Sequence, residues 1–103
     1  MRRFSAFHNA IELAVALSKD PQFKWSPKTL QAASELCERK DLLRMSRDLT
    51  KIARTFDITR LKIPKRVFIS LINVYKDNDA RSDAIDILKI GLKVFLKLLL
   101  YEW

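Results

Sequence analysis

One glycine, one cysteine and one histidine occur in the 103 residues, and each scarcity excludes something. A lone Cys37 cannot form an intrachain disulfide, and with His8 it supplies only two of the four ligands a structural zinc site needs. Gly91 stands alone inside an apolar stretch, so the chain has no glycine-rich loop to cradle phosphates and little material for tight turns at positive φ. No set of histidine, carboxylate and nucleophile can be assembled, which removes the usual bases for catalysis. The apolar runs, such as Leu98 to Tyr101, fall far short of the roughly 20 residues of a membrane span. No secretory signal stands out. Asp77, Asp79, Asp83 and Asp86 cluster, but without the turn glycine and downstream glutamate of a calcium loop they read as helix caps and dipole complement. The expectation is a protein that is not an enzyme and uses no cofactor or metal.

What is abundant is apolar and charged side chain, 49% and 31% of the chain, in a length suited to one domain spanning residues 1–103. The apolar residues recur at steps of three and four, which makes the expected class all-α, with about five helices. Phe4, Phe7, Ile11, Ala14 and Val15 predict a first helix over about residues 3 to 19, stopped by Pro21, with His8 flanking its stripe. Ser26 and Pro27 have the chemistry of an N-cap and a first helical residue, so a second helix is expected from about Pro27 to Arg39. Leu30, Ala33 and Cys37 share one face of it, which makes Cys37 a small packing group rather than a nucleophile. Two neighbouring alanines, Ala32 and Ala33, suggest close approach of another helix. Asp41 is a candidate cap for a third helix carrying Leu42, Met45, Leu49, Ile52 and Phe56 on one side. Periodicity weakens from Asp57 to Ile63. Pro64 then opens a fourth helix with Val67, Phe68, Leu71, Ile72 and Tyr75 inward. The polar KDNDARS stretch predicts a turn near Asp79 and a last helix from about Ala80 toward Trp103.

Lysine and arginine exceed aspartate and glutamate by 20 to 12, a formal charge of +8 that favours polyanions such as RNA. Most of the surplus lies between Glu38 and Arg66. The residues expected to contact nucleic acid are Arg39, Lys40, Arg44, Arg47, Lys51, Arg54, Arg60, Lys62, Lys65 and Arg66. Arg44, Arg47, Lys51 and Arg54 repeat the helical step two residues after the apolar stripe, so they form a cationic ridge nearly opposite it. With no aromatic residue interleaved, backbone phosphates rather than stacked bases are the expected contacts. A solvated basic face is the competing reading. The opening MRRFSAF has no acid before Glu12, as in mitochondrial presequences, but is read first as an ordinary helix turn. The expected location is intracellular, either cytoplasmic or mitochondrial.

The last helix offers a second kind of surface. Asp86, Lys89, Lys93 and Lys97 make only a narrow polar stripe, and apolar residues cover the rest. Such a helix is either central in the fold or completed by another molecule. Leu92, Phe95, Leu96, Leu99, Leu100 and Trp103 are therefore the expected interface for a protein partner or a homodimer. Binding to an anionic membrane surface is the less favoured alternative, because it would leave the core short of its most apolar element.

VFISLINVY, a polar turn and DAIDILK together resemble a pentatricopeptide repeat, or more generally a tetratricopeptide-like helical hairpin, through Leu71, Ile72, Tyr75, Ala84, Ile85 and Leu88. SPKTLQAASELCERKDLLRMSRDL is similar to a second unit in which Cys37 takes the place of Tyr75, 38 residues earlier. FHNAIELAVALSKD is a poor match to a truncated earlier unit. The resemblance covers about residues 27–89 and implies an RNA-binding array of helix pairs. The turns lack the family's glycine, and the spacing after Phe56 is irregular. Its base-reading positions correspond to Ser70 with Leu100, and Ala32 with Lys65; neither Leu100 nor Ala32 is suited to reading a base. Stacked units need neighbours and polar ends, and about three are usually required for stability. Two units must close on themselves, dimerise or dock on something larger.

Overall fold

The structure, a computed structural model, describes residues 12–59 and 62–101, with side chains for 12–56 and 62–93. Five helices occur among them: residues 12–19 (α1), Pro27–Lys40 (α2), Leu43–Thr59 (α3), Lys65–Asp77 (α4) and Arg81–Tyr101 (α5), with no strand among the described residues. The class is all-α. The expected first-helix residues before 12, His8 among them, lie outside the described part, as do Arg60, Trp103 and the side chains of Phe95, Leu96, Leu99 and Leu100.

Helices α2 and α3 form one antiparallel hairpin and α4 and α5 a second. The hairpins lie side by side, α2 packing chiefly on α4 and α3 on α5. One buried cluster runs through them, built from Leu30 and Cys37 of α2, Met45, Leu49, Ala53 and Phe56 of α3, Val67, Leu71, Val74 and Tyr75 of α4, and Ile87 and Ile90 of α5. Ala14, Val15 and Trp25 pack against it from α1 and the segment that follows. The apolar stripes expected of α2, α3 and α4 are the ones that point inward. Ile52, Phe68 and Ile72 are only partly covered, and Ala53, Val74 and Ser70 are buried as well. Of the two alanines on α2, Ala33 is buried while Ala32 faces solvent, and Ser34 takes the second close-packed position, its hydroxyl donating to the Leu30 carbonyl at 2.8 Å.

The N-terminus of α2 forms as its sequence requires: Ser26 Oγ accepts from the Thr29 N–H at 3.1 Å, and Pro27 is the first helical residue. Asp41 departs from its expected role. It does not cap α3; it ends α2 in the left-handed region at φ 54°, its N–H bonded to the Cys37 carbonyl. Aspartate tolerates that conformation better than most side chains, and without glycine in the turn it takes the position a C-terminal glycine usually holds. Asp79 likewise lies in the left-handed region, at φ 52°, one residue beyond the Asn78 that ends α4, and α5 starts at Arg81. Pro64 sits one residue before α4 as its N-cap rather than inside its first turn.

These two turns share their closing bonds. The Leu42 N–H reaches the Cys37 carbonyl at 3.0 Å and the Ala80 N–H reaches the Tyr75 carbonyl at 2.8 Å, in each case the six-residue bond that closes a helix end. Ser46 then bonds back to Leu42 and Ala84 to Ala80, opening α3 and α5 alike. Each member of the second hairpin lies 38 residues after its counterpart, as do the first residues of α4 and α5 after those of α2 and α3. Asn78 ties the turns together, its amide donating to Asp41 Oδ1 at 2.6 Å and to the Val74 carbonyl at 2.8 Å.

Candidate functional site

Burial of its opposite stripe turns the α3 ridge outward, and Arg44, Lys51 and Arg54 are exposed. No ion pair involves any of these three among the described residues. Arg47 differs. Its Nε donates to Asp83 Oδ2 at 2.8 Å across the contact between α3 and α5, where Asp83 also lies in the first turn of α5, favourable to that helix dipole. The ridge that looked uniform in sequence divides into one arginine used between hairpins and three cations left facing solvent.

Helix α5 adds to that surface. Arg54, Asp86, Lys89, Ile90 and Lys93 surround a shallow groove of about 210 Å³ between α3 and α5. Among the described residues that border this concavity, three are cations and one is a carboxylate. In sequence Lys89 and Lys93 read only as the polar stripe of their own helix, because the step that brings them beside Arg54 is made by hairpin packing.

The other expected contacts scatter. Arg39 and Lys40 end α2, favourably placed for its dipole, and are exposed, as are Lys62 and Lys65 near the start of α4. Arg66 belongs to a polar seam between α2 and α4. Its Nη2 donates to Glu38 Oε1 at 3.1 Å and its Nε lies 3.7 Å from Glu35 Oε1. Ser70 Oγ donates to the same Glu38 oxygen at 3.1 Å, and the Asn73 amide donates to the other. The Asn73 hydrogen bond chiefly, with Ser70 and the Arg66 charge, holds the Glu38 carboxyl below its ordinary range against the opposing effect of desolvation. Ser70 is therefore fully buried and already bonded, an arrangement unsuited to reading a base, while Lys65 and Ala32 are exposed. Nothing in a periodicity plot could have foreseen this seam, since its members lie about 30 residues apart on two helices.

No family model, curated protein or solved structure matches this chain. What it does chemically must be read from its own groups. Cys37 is buried, and desolvation pushes its thiol up to about 11, the opposite of an activated nucleophile. Among the described residues no group of three or more histidine, cysteine or carboxylate side chains is arranged to hold a metal, and no helix is long and apolar enough to cross a membrane. A cleft of about 490 Å³ lies where the segment after α1 crosses α3, bordered by Phe23, Trp25, Ile52 and Phe56. Phe23 and Trp25 meet edge to face there, 5.0 Å apart. Its polar groups serve local structure, Ser18 bonding to the Val15 carbonyl and Asp20 capping the Gln22 N–H.

Proposed function

We propose that this protein is a non-enzymatic helical binding module that holds RNA through its phosphates, using Arg44, Lys51 and Arg54 of α3 together with Lys89 of α5. The observation that carries the proposal is the convergence of Arg54 and Lys89 on one groove between α3 and α5, where Asp86 is the one acid among the described residues that border it. Like charges held together by a packed scaffold repel one another, and a phosphate oxyanion placed between them relieves that repulsion. Arginine also offers a planar fork suited to paired hydrogen bonds with phosphate. The aromatic side chains Phe23 and Trp25 border a cleft that none of Arg44, Lys51 and Arg54 lines, so the reading is one of backbone contact without base selection.

The two hairpins are, in this proposal, tandem units of the pentatricopeptide or tetratricopeptide-like kind. The shared offset of their helix starts, left-handed turn residues and closing bonds supports it. Phosphates lie on the second helix of each unit, away from the Glu38 seam on the first helices. Glu35 and Glu38 share the single Arg66, and the acidic excess they leave makes that face a poor one for a polyanion.

The test is fluorescence anisotropy of a labelled single-stranded RNA across a salt titration. Changing Arg44, Lys51 and Arg54 to glutamine together is expected to weaken binding and to lower the slope of log K against log salt by about 2, at roughly 0.7 for each phosphate the variant no longer neutralises. Arg47→Gln should leave that slope nearly unchanged, because Arg47 is held by Asp83. Absence of salt-sensitive binding by the wild type, or an unchanged slope in the triple variant, would overturn the proposal.

A further inference from the structure

The face of α5 that the two hairpins do not use carries a row of large apolar side chains: Ile85, Leu88 and Leu92, exposed at 51%, 52% and 58%. Their positions are not arbitrary. Moved back by the 38-residue offset of the hairpins, they become Arg47, Thr50 and Arg54 of α3, and each of these meets the second hairpin. Arg47 pairs with Asp83, Thr50 shares a hydrogen bond with Tyr75, and Arg54 borders the groove with Lys89 and Ile90. The stripe thus occupies on α5 the edge by which α3 is joined to its neighbour.

The first helices match as well. In the first hairpin Ser34, Cys37 and Ser46 are covered by packing, with Glu38 and Asp41 bonded to side chains of the second hairpin. Their counterparts in the second hairpin, Ile72, Tyr75, Ala84, Lys76 and Asp79, border an open groove of about 300 Å³ instead. One hairpin has its groove and edge covered, and the other presents the same two features uncovered.

We infer that this α4–α5 face is the contact surface for a second copy of the chain, joined about a twofold axis. A head-to-tail stack of hairpin on hairpin is blocked, because the side of the first hairpin that would have to meet this face is covered by α1. Ala14 and Val15 pack there against the core, and Ser18 Oγ lies 3.5 Å from Asp48 Oδ2 on the edge of α3 away from α5. With one end covered and one open, the arrangement that closes is face to face. The rim carries both signs, with Lys76 and Arg81 beside Asp77 and Asp79 and Arg81 Nε 3.6 Å from Asp79 Oδ1, so two copies face to face bring no block of like charge together. The three apolar residues follow steps of three and four, the seam by which two helices pack along each other, and in the sequence Phe95 and Leu99 continue it. At about 30 Å, α5 is long enough for the pair to approach a standard interface.

This inference rests on the shared register and not on phosphate binding, so the two can fail separately. The experiment is sedimentation equilibrium of the 103-residue chain across the micromolar range, beside a variant with Leu88→Glu and Leu92→Glu. A wild-type dimer that becomes monomeric in the variant, with helical circular dichroism unchanged, is the expected result. A second measurement stands whatever that variant's folding: Leu88→Cys, near the axis, should oxidise to an intermolecular disulfide, while Arg44→Cys on the outer side of α3 should not. The native Cys37 is buried and silent in this assay. A wild type that stays monomeric throughout, a dimer indifferent to the glutamates, or equal cross-linking of the two cysteine variants would overturn the inference.

Discussion

Thr50 and Tyr75 share one buried hydrogen bond, yet removing either side of it should cost different amounts. Tyr75 is fully buried, and its hydroxyl meets Thr50 Oγ1, which also lies 3.0 Å from the Ser46 carbonyl. The carbonyl can only accept and Thr50 has one hydroxyl proton, so Thr50 donates to Ser46 and Tyr75 donates to Thr50. Tyr75→Phe deletes the last donor of this chain and leaves Thr50 still bonded to Ser46, a loss of about 0.5–1.5 kcal/mol. Thr50→Val keeps the shape but leaves the phenolic O–H buried with no acceptor, which costs about 1–3 kcal/mol. Urea unfolding at neutral pH measures both as midpoint shifts at constant m. In a thermal scan each kcal/mol should appear as about 4–8 °C for a domain of this size. A Tyr75→Phe variant that loses as much stability as Thr50→Val would refute the donor assignment and the burial argument behind it.

Three further outcomes follow from the same geometry. Because Glu38 is held below its ordinary value of 4.5, its stabilising contribution is present above that pH and disappears as pH falls through the lowered value. Glu38→Gln should therefore flatten the acid limb of a stability profile measured below about pH 4.5. At the alkaline end burial pushes Cys37 from 9.0 up to about 11 and Tyr75 from 10.0 up to about 12. Both groups are neutral in the folded and unfolded states well below pH 9, so stability is retained there and falls as pH rises through 9, where the unfolded thiol ionises first. In Cys37→Ala the decline between pH 9 and 10 should shrink to the smaller part that Tyr75 contributes, even though overall stability is lower. Gly91 lies at a helical position, where alanine is favoured by about 1 kcal/mol. A Cβ there would come within 3.3 Å of Phe68 Cδ1, on a ring that is only partly buried and can tilt. Gly91→Ala should raise the melting temperature slightly and Gly91→Val should lower it.

Secondary structure was largely legible in the chain because it rests on neighbours in sequence. Steps of three and four apolar residues placed the inward faces of α2, α3 and α4, and Ser26 with Pro27 marked the start of α2. The turns were less legible. Asp41 and Asp79 each have a side chain able to cap a following helix or to sit at positive φ after a preceding one, and the sequence alone does not choose between them. The choice was made by closing bonds to the Cys37 and Tyr75 carbonyls, which form only once both helices are in place.

Charge showed the sharper divide. The sequence determined that the outward face of α3 is basic, since covalent spacing alone sets which residues share a helix face. It treated Arg47 and Arg54 alike, although one is bonded to Asp83 and the other faces Lys89 across a groove. Likewise α5 read as too apolar for a surface helix, and only packing separated buried Ile87 and Ile90 from exposed Ile85, Leu88 and Leu92. Periodicity is a property of one helix, whereas an ion pair, a groove and an uncovered stripe are properties of two. Those features were decided when the second hairpin settled against the first, because only tertiary packing brings residues about 30 positions apart to within hydrogen-bonding distance.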